Sequence, residues 1–446
     1  MKKLFGTDGI RGVANRELTP ELALAVGQAH GQRLRRAHPR PRVVLGHDTR
    51  RSAAMLVGAY RAGLCSAGAD VLEVGVLPTP AIAWLVKDLS ADGGVMVSAS
   101  HNPIADNGLK LFSGPGNKLA DEDEAAIEAA LGGRDTIVRP IAGEVGDVFV
   151  IADAADRYVA HLKRCLGGGF QGQRVALDCA HGAASVVGPR LFRELGAQVE
   201  VLHAAPDGTN INVACGATHL AVVREHVASS PGTVAGFAFD GDADRCLAVD
   251  EGGRSIDGDQ IMLALAGDLK SRGLLANDVV VATVMSNLGF EKALDRLGVR
   301  LIRAAVGDRY VFEAMVVHDA ALGGEQSGHI IQRQLGDMGD GILTAARLLQ
   351  VMQSSGQPLS ALAGRMEHFP QLLVNVKARN KAALAHDATI AQAIADIEAR
   401  LQNRGRLLVR PSGTEPLVRV MAEGPDQDEL DEVVHHLARV IEDRLG

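Results

Sequence analysis

Residues 98–103, Ser-Ala-Ser-His-Asn-Pro, place two hydroxyl groups and an imidazole directly after an apolar run at residues 95–97. Asn-Pro is typical of turns, so this serine loop is predicted to follow a buried strand. In an open α/β sheet, ligands bind at that end of the strands. A serine hydroxyl is a weak nucleophile that needs a base or a metal ion nearby, and the local candidates are His101 and Lys110. Taken by itself, the segment could also be a polar loop whose hydroxyls cap the next element.

Residues 240–245, Asp-Gly-Asp-Ala-Asp-Arg, form an aspartate loop between two apolar, strand-like runs. Carboxylates about 4 Å apart repel by about 4 kcal/mol per pair at an effective dielectric constant of about 20, and a divalent cation offsets that repulsion. An EF-hand is excluded because Arg245 stands where the turn glycine is needed and because strands, not helices, flank the loop. Three protein oxygens leave coordination positions open, which suits magnesium bound partly through a phosphate oxygen. Arg245 either neutralises a transferring anion or pairs with the neighbouring aspartates.

Two further segments combine groups that bind sugars or phosphates. The glycine-rich loop, residues 323–329, allows close backbone approach to a ligand, and its Glu325 and Ser327 can accept from and donate to sugar hydroxyls. The arginine loop, residues 410–419, combines guanidinium groups, hydroxyls and backbone amides, which together hold a phosphate. By themselves, both segments could equally be turns.

The elements that would position these loops follow a repeated pattern. Three segments, beginning near residues 43, 175 and 279, read as strand, helix, glycine and second strand. Glycine ends each helix as a left-handed C-cap would, and the spacing requires βαβ units with right-handed crossovers. From residue 372 the pattern changes to strand, helix, two strands and helix. We therefore predict three tandem α/β domains with mixed or parallel sheets and a smaller C-terminal α+β domain.

The amino-acid composition limits the classes of protein to which this chain can belong. The 446 residues are 47% hydrophobic and 22% charged, which is typical of a globular chain of several domains. A net charge of −8 argues against a nucleic-acid partner. Five scattered cysteines without a CxxC pair indicate reduced thiols and no zinc site. Neither a signal sequence nor a membrane-spanning stretch is predicted, so we expect a cytoplasmic protein without a membrane partner.

The motifs also occur in an informative order. They are residues 5–12 (Phe-Gly-Thr-Asp-Gly-Ile-Arg-Gly), the serine loop, the aspartate loop, the glycine-rich loop and the arginine loop. In this order, over the whole chain, they resemble the α-D-phosphohexomutase superfamily. Chain length and the detail of the first and third motifs favour its bacterial branch acting on glucosamine phosphates.

The resemblance implies a reaction and a site. Ser100, in preference to Ser98, would carry a phosphoryl group and exchange it with glucosamine 6-phosphate and glucosamine 1-phosphate through a 1,6-bisphosphate. The product would feed the synthesis of UDP-N-acetylglucosamine and cell-wall precursors. The implied roles are catalysis by Ser100, His101, Lys110, Arg245 and His329; binding of one magnesium ion by Ser100, Asp240, Asp242 and Asp244; sugar binding by Glu325, Ser327 and His329; and phosphate binding by Arg11, Arg410, Ser412, Gly413, Thr414 and Arg419.

The predicted domains assign one loop to each part of the chain. They are residues 1–150 with the serine loop, 151–254 with the aspartate loop, 255–368 with the glycine-rich loop and 369–446 with the arginine loop. The four loops are expected to meet in a central cleft. A mutase must hold one phosphate while it transfers the other, so the C-terminal domain is predicted to act as a movable lid.

Several alternatives remain open at this point. Within the superfamily, the substrate could be a glucose or mannose phosphate. Asp240 could be the nucleophile of an aspartyl-phosphate enzyme, and a non-catalytic sugar-phosphate sensor is a third possibility, against which the intact serine argues. Glucosamine or glucose 1,6-bisphosphate is expected as an activator. The sequence does not determine the oligomeric state, and a homodimer is left open.

Overall fold

Contacts divide the chain into two units. In the computed structural model, placement is described for residues 4–6, 8–132, 139–402, 404–412 and 416–446. The first unit consists of Met1–Val284 and Ile302–Ala363, and the second of Met285–Leu301 and Gly364–Gly446.

The described residues contain fourteen α-helices: α1 (Pro20–Arg35), α2 (Ala53–Ser66), α3 (Thr79–Asp88), α4 (Asp121–Gly132), α5 (Ala154–Leu166), α6 (Ala184–Glu194), α7 (Ala221–Ser229), α8 (Gly258–Ser271), α9 (Leu288–Arg296), α10 (Asp308–Val317), α11 (Gly341–Ser355), α12 (Leu359–Ala363), α13 (Ala388–Leu401) and α14 (Gln427–Leu445). None of the helices in these ranges is both long and apolar enough to cross a membrane.

The same ranges contain eighteen strands: β1 (Ile10–Val13), β2 (Arg42–His47), β3 (Asp70–Val76), β4 (Gly93–Val97), β5 (Asp106–Ser113), β6 (Val148–Val150), β7 (Arg174–Asp178), β8 (Gln198–Leu202), β9 (Thr233–Phe239), β10 (Cys246–Asp250), β11 (Ser255–Ile256), β12 (Val279–Thr283), β13 (Arg300–Ala304), β14 (Leu322–Gly324), β15 (Ile330–Gln332), β16 (Gln371–Lys377), β17 (Arg406–Pro411) and β18 (Leu417–Glu423).

The first sheet positions the serine loop. Its strand order is β1-β5-β4-β2-β3-β6, with β2, β3, β4 and β6 parallel and β5 antiparallel to both its neighbours. The apolar strands β2 and β4 are buried against α1 and α2. Because β2 and β4 are parallel and in register to His47 and Val97, the segments that follow them emerge side by side.

The other two sheets of the first unit each contain a hairpin whose loop is part of the predicted site. The order of the second sheet is β11-β10-β9-β7-β8, and the aspartate loop joins the antiparallel strands β9 and β10. The order of the third is β13-β12-β14-β15, and the glycine-rich loop joins the antiparallel strands β14 and β15. The predicted βαβ repeats correspond to β2-α2-β3, β7-α6-β8 and β12-α9-β13. Each sheet is mixed, as the predicted fold class allows.

The second unit is built on the antiparallel sheet β16-β18-β17, with α13 and α14 packed on it. This is the predicted strand, helix, two strands, helix order. Its core comes from alternating strand positions and from one face of α14, as expected for a half-buried sheet. The unit also contains residues 285–301: the side chain of Asn287 accepts a hydrogen bond from the N–H of Phe369 (3.1 Å) and donates one to its carbonyl (2.9 Å).

Candidate active site

Ser100 lies on the serine loop immediately after β4 and is buried. Its φ of 53° is in the left-handed region, which costs a residue other than glycine about 1–3 kcal/mol and is concentrated at functional sites. Its hydroxyl donates to Oδ2 of Asp240 at 2.5 Å and lies 3.3 Å from Nδ1 of His101. The structure therefore brings the predicted nucleophile against the predicted metal loop, although 140 residues separate them in the chain.

The three aspartates of the aspartate loop are buried, and one oxygen of each lies within 4.8 Å of the others. Burial, and next the charges of Asp244 and Asp242, raise the pKa of Asp240 well above its ordinary value. Oδ1 of Asp242 and Oδ1 of Asp244 have no hydrogen-bond partner among the described residues. Buried carboxylate oxygens left over in this way fit a divalent cation, because an unpaired buried charge is otherwise costly.

Lys110, on β5, supplies the compensating charge within the site. Its Nζ is buried and donates to Oδ2 of Asp242 (2.6 Å) and of Asp244 (3.0 Å). Burial would lower the pKa of Lys110, but the two carboxylates raise it above its ordinary value. Conversely, although burial would raise the pKa of Asp244, Lys110 holds it well below its usual range. Lys110 is therefore a cation at neutral pH, which suits a polarising role better than that of a base.

His101 has the opposite electrostatic character. Burial, followed by the positive charges of Arg245 and Arg11, lowers the pKa of His101 to about 4. Its imidazole is therefore neutral at pH 7 and has a lone pair to accept a proton. Of the two local candidates for a base, His101 has the protonation state that the role requires.

Arg11 lies against the serine loop and begins a chain of charges. Its Nη1 donates to Oδ1 of Asn102 (3.3 Å), and its Nη2 pairs with Oδ2 of Asp8 (3.0 Å). Nζ of Lys118 donates to Oδ1 of Asp8 (2.7 Å) and to Oδ1 of Asp308 (2.7 Å). Sequence reasoning gave no role to Asp8, although it lies in the motif at residues 5–12, nor to Lys118 and Asp308, because their pairing joins segments up to 190 residues apart.

The glycine-rich loop packs on the start of β10, beside the aspartates. The N–H of Cys246 donates to the carbonyl of Gly328 at 3.0 Å, and a side-chain Cβ at position 328 would lie 2.3 Å from the carbonyl oxygen of Cys246. Gly328 also has a φ of 91°, so both its conformation and its contacts require glycine. The carboxylate of Glu325 accepts from the hydroxyl of Ser327 (3.2 Å) and from the N–H of Gly307 (3.0 Å).

His329 and Arg245 face the same group of carboxylates. The His329 ring lies 3.8 Å from Oδ2 of Asp244 and 3.6 Å from Oδ2 of Asp308. Burial would lower the pKa of His329, but these two carboxylates raise it. The backbone N–H of Arg245 donates to Oδ1 of Asp240 (3.2 Å), and its Nε has no hydrogen-bond partner among the described residues.

One cluster in the first unit thus contains most of the predicted site residues: Arg11, Ser100, His101, Lys110, Asp240, Asp242, Asp244, Arg245, Glu325, Ser327 and His329. Thr79, which sequence reasoning missed, also belongs to it, because its hydroxyl donates to Oδ2 of Asp242.

The remaining predicted residues belong to the second unit. Arg410 on β17 and Arg419 on β18 lie directly opposite each other in the antiparallel register. Partial burial, and next the charge of Arg419, lower the pKa of Arg410. Nζ of Lys381 donates to the carbonyl of Ser412 at 2.5 Å, which adds a third cationic side chain. Gly413 and Thr414 lie outside the described residues.

Comparison with known proteins identifies the family. Sequence models of the phosphoglucomutase/phosphomannomutase family match alpha/beta/alpha domain I over residues 2–136, domain II over 156–253, domain III over 257–369 and the C-terminal domain over 373–440. The phosphoglucosamine mutase of Moorella thermoacetica is 51% identical over 441 residues, which are 99% of each chain. That of Symbiobacterium thermophilum is 51% identical over 448 residues, which are 100% of each chain. The chain therefore belongs to the phosphoglucomutase/phosphomannomutase family.

Solved structures agree in fold. A phosphoglucomutase/phosphomannomutase family protein from Burkholderia thailandensis matches with a TM-score of 0.83 and 24% identity, over 100% of this chain and 99% of that one. An N-acetylphosphoglucosamine mutase of Aspergillus fumigatus, in complex with GlcNAc-6P and magnesium, matches with a TM-score of 0.70 and 19% identity, over 99% of this chain and 96% of that one.

These matches confirm three of the predictions: the superfamily, the fold class and an enzyme of the mutase type. The names of the full-length relatives support the glucosamine-phosphate branch and do not favour the glucose or mannose alternative.

Proposed function

We propose that the protein interconverts glucosamine 6-phosphate and glucosamine 1-phosphate and that Ser100 carries the transferred phosphoryl group. The observation that carries this proposal is the position of Oγ of Ser100, between the Asp240 carboxylate and the neutral His101 imidazole. The choice of glucosamine as the sugar of the substrate rests on the relatives named phosphoglucosamine mutase, which are 51% identical to this chain over nearly its full length.

The reaction consists of two transfers. In the first, a sugar hydroxyl loses its proton and attacks the phosphorus of phosphorylated Ser100, so that a sugar O–P bond forms, the serine O–P bond breaks and the serine oxygen takes up a proton. In the second, the serine hydroxyl attacks the other phosphate of the resulting 1,6-bisphosphate and must lose its proton as it does so. Nδ1 of His101 and Oδ2 of Asp240 are the two acceptors within reach of that proton. Each transfer is the reverse of the other in chemistry, so one set of residues serves both.

The aspartate loop would hold one magnesium ion through Asp240, Asp242 and Asp244, together with an oxygen on Ser100. A bound magnesium ion supplies Lewis-acid polarisation of the phosphoryl oxygens. The unpartnered Oδ1 atoms of Asp242 and Asp244 support this assignment. Arg245, with its unpartnered Nε, is proposed to stabilise charge on the transferring group.

The glycine-rich loop would recognise the sugar. Glu325 and Ser327 are hydrogen-bonded to each other and could exchange that bond for sugar hydroxyls. His329, whose pKa the two facing carboxylates raise, could donate a proton or a hydrogen bond to the substrate. Arg11 is proposed to bind a phosphate beside the serine loop.

The second unit would supply the site for the phosphate that is not transferred. We propose Arg410, Ser412, Gly413, Thr414 and Arg419 as its ligands. Like charges directly opposite each other on a sheet are destabilising, and an anion bound near both arginines would offset that repulsion. The predicted domains, residues 1–150, 151–254, 255–368 and a lid at 369–446, are part of the same proposal. So is a cytoplasmic location, which the five free cysteines favour.

Intact-mass measurement before and after incubation with glucose 1,6-bisphosphate tests the proposal. We expect the wild-type protein to gain one phosphate and then to turn over glucosamine 6-phosphate. Ser100→Ala should gain none and should lose turnover by at least about 10⁴-fold, because the nucleophile is absent. Peptide mapping that places the phosphate on Ser98 would refute the assignment. A phosphate that hydroxylamine removes would instead indicate an acyl phosphate on an aspartate such as Asp240.

A further inference from the structure

The backbone of Ser100 is held at both of its polar groups. Its N–H donates to Oγ of Ser98 at 2.9 Å, and its carbonyl accepts from Nη2 of Arg50 at 2.9 Å and from Nδ2 of Asn212 at 2.8 Å. A left-handed φ is unfavourable for serine and persists only where the surroundings impose it. The side chains of Ser98, Arg50 and Asn212 are therefore candidates for the groups that impose the left-handed φ on Ser100.

Arg50 holds more of the serine loop than the single carbonyl of Ser100. Its guanidinium group is fully buried and makes five hydrogen bonds. Four go to backbone carbonyls around the nucleophile, and their acceptors and distances are Ser100 (2.9 Å), Asn102 (2.8 Å), Pro103 (2.6 Å) and Asp106 (3.0 Å). Only the planar, five-donor guanidinium can reach so many acceptors at once, and lysine could not replace it.

Asp48 is hydrogen-bonded to both Ser98 and Arg50. Its Oδ2 accepts from Oγ of Ser98 at 2.7 Å and from Nε of Arg50 at 2.9 Å. Asp48 follows β2 directly, and its own N–H donates to the carbonyl of Val97 at the end of β4. One carboxylate, fixed to the sheet, thus orients both the hydroxyl that holds the N–H of Ser100 and the guanidinium that holds its carbonyl.

On its opposite side, the serine loop packs closely against the aspartate loop. A Cβ at position 241, in the aspartate loop, would lie 2.5 Å from the carbonyl oxygen of Ser100. The serine loop therefore packs tightly on the aspartate loop, and a change in the backbone of Ser100 would move its Oγ relative to Asp240. A misplacement of about 1 Å in reacting groups can cost about 100-fold in rate.

We infer that Asp48, Arg50 and Ser98, the serine bracket, are positioning residues for the transfer reaction. The serine bracket holds the Ser100 backbone in its left-handed conformation and so directs Oγ at the aspartate loop. This inference rests on the proposed function, in which Ser100 carries the phosphoryl group. It assigns Ser98 a role distinct from that of its neighbour: an orienting hydroxyl that is not phosphorylated.

Ser98→Ala is the first test, since it removes one hydroxyl and leaves the buried ion pair in place. We expect kcat to fall about 10- to 100-fold while KM and magnesium affinity change less than about threefold, because substrate and metal ligands are untouched. The rate at which glucose 1,6-bisphosphate phosphorylates Ser100 should fall by the same factor as kcat. Asp48→Asn should give a similar or larger loss, and combining the two should cost much less than the product of the single effects, since both act through one chain of contacts.

Thr49→Val is the matched control. Thr49 lies between Asp48 and Arg50, and its hydroxyl donates to the carbonyl of His181 at 2.6 Å, which lies outside the serine loop. The control should lower Tm as much as Ser98→Ala does but leave kcat within about twofold of the wild-type value. Equal kcat in Ser98→Ala and Thr49→Val would overturn the bracket and leave the proposed function standing. A wild-type protein without turnover would overturn the proposed function, and the bracket with it.

Discussion

Like charges crowd together in two regions of this protein, and the two regions compensate the repulsion differently. The three aspartates of the first unit are buried and are offset from within by Lys110, at 2.6 and 3.0 Å. The opposed arginines of the second unit, Arg410 and Arg419, are only partly buried. Compensation inside a buried cluster suits an ion that stays in place, whereas partly exposed like charges suit an anion that arrives and leaves. Under the proposed function, the first region would therefore hold the resident cation and the second the substrate phosphate.

The largest effect is expected in the buried cluster. Asp242→Asn keeps the shape of the side chain but removes one charge from a three-carboxylate site. Magnesium affinity should fall by at least about 10- to 100-fold, and turnover by about 100- to 1,000-fold. Calorimetric titration with magnesium and steady-state kinetics measure the two quantities.

The control for this variant is Asp337→Asn, which breaks an exposed pair with Lys87 (2.9 Å) and should leave both values unchanged. Calcium should bind to the wild-type site but support poor activity, since its larger and looser coordination shell positions the phosphoryl group badly. Full activity in excess chelator would contradict the metal assignment and, with it, the first half of the comparison.

An intermediate effect is expected in the second unit. Arg419→Ala should raise KM for both sugar phosphates about 10- to 100-fold, as loss of a charge-assisted hydrogen bond worth about 1.5–3 kcal/mol implies. Magnesium affinity should not change. Arg404→Ala, which removes an exposed arginine paired with Glu429 at 3.1 Å, is the control on the same unit. An unchanged KM in Arg419→Ala would show that the phosphate ligands lie elsewhere.

The smallest effect concerns a buried ionisable group that has no opposite charge to compensate it. His30 on α1 is buried, with Nδ1 at 2.8 Å from the hydroxyl of Tyr60, and burial, followed by the charge of Arg33, lowers its pKa to about 4. Between pH 6.5 and 4 only the unfolded chain binds this proton, so stability is complete above pH 6.5 and falls as the pH drops. The loss should be about 2 kcal/mol at pH 5.

Urea unfolding of the wild-type protein and of His30→Gln at pH 7.5 and pH 5 measures this contribution. The variant should be less stable at pH 7.5 but should lose about 2 kcal/mol less between the two pH values. If both proteins show the same pH dependence of the free energy of unfolding, His30 is not the group responsible for it. His30 would then no longer serve as the example of a buried ionisable group without charge compensation.

The elements, and most of the residues that the structure brings together in the candidate site, could be predicted from the sequence, because both leave local signals. The βαβ repeats show in strand and helix patterns over a few tens of residues, and the serine and aspartate loops directly follow apolar strands. The partners of those loops leave no such signal. Lys118 meets Asp308 across 190 residues, and the pairing depends on how two domains pack.

Arg50 is a different kind of omission. In the sequence it reads as one of two adjacent arginines before a helix, which is ordinarily an exposed pair. Asp48 and Arg50 nevertheless follow β2 directly, and the rule that ligands bind at strand ends, applied to β4, would have singled them out as well. What could not be predicted is burial: only the structure shows that the first arginine turns inward to the serine loop while Arg51 is exposed.

The discontinuous second unit has a consequence for synthesis on the ribosome. Residues 285–301, including the buried face of α9 at Phe290 and Leu294, belong with a segment that ends at residue 446. Hydrogen bonds join residues 285–301 to Arg365, Phe369 and Arg406, which lie 69–120 positions further along the chain, a stretch that takes about 3–24 s to make at about 5–20 residues per second. For that interval the nascent chain contains an amphipathic helix, α9, without these partners of its segment. We expect this helix to be a segment of the growing polypeptide that a chaperone can bind.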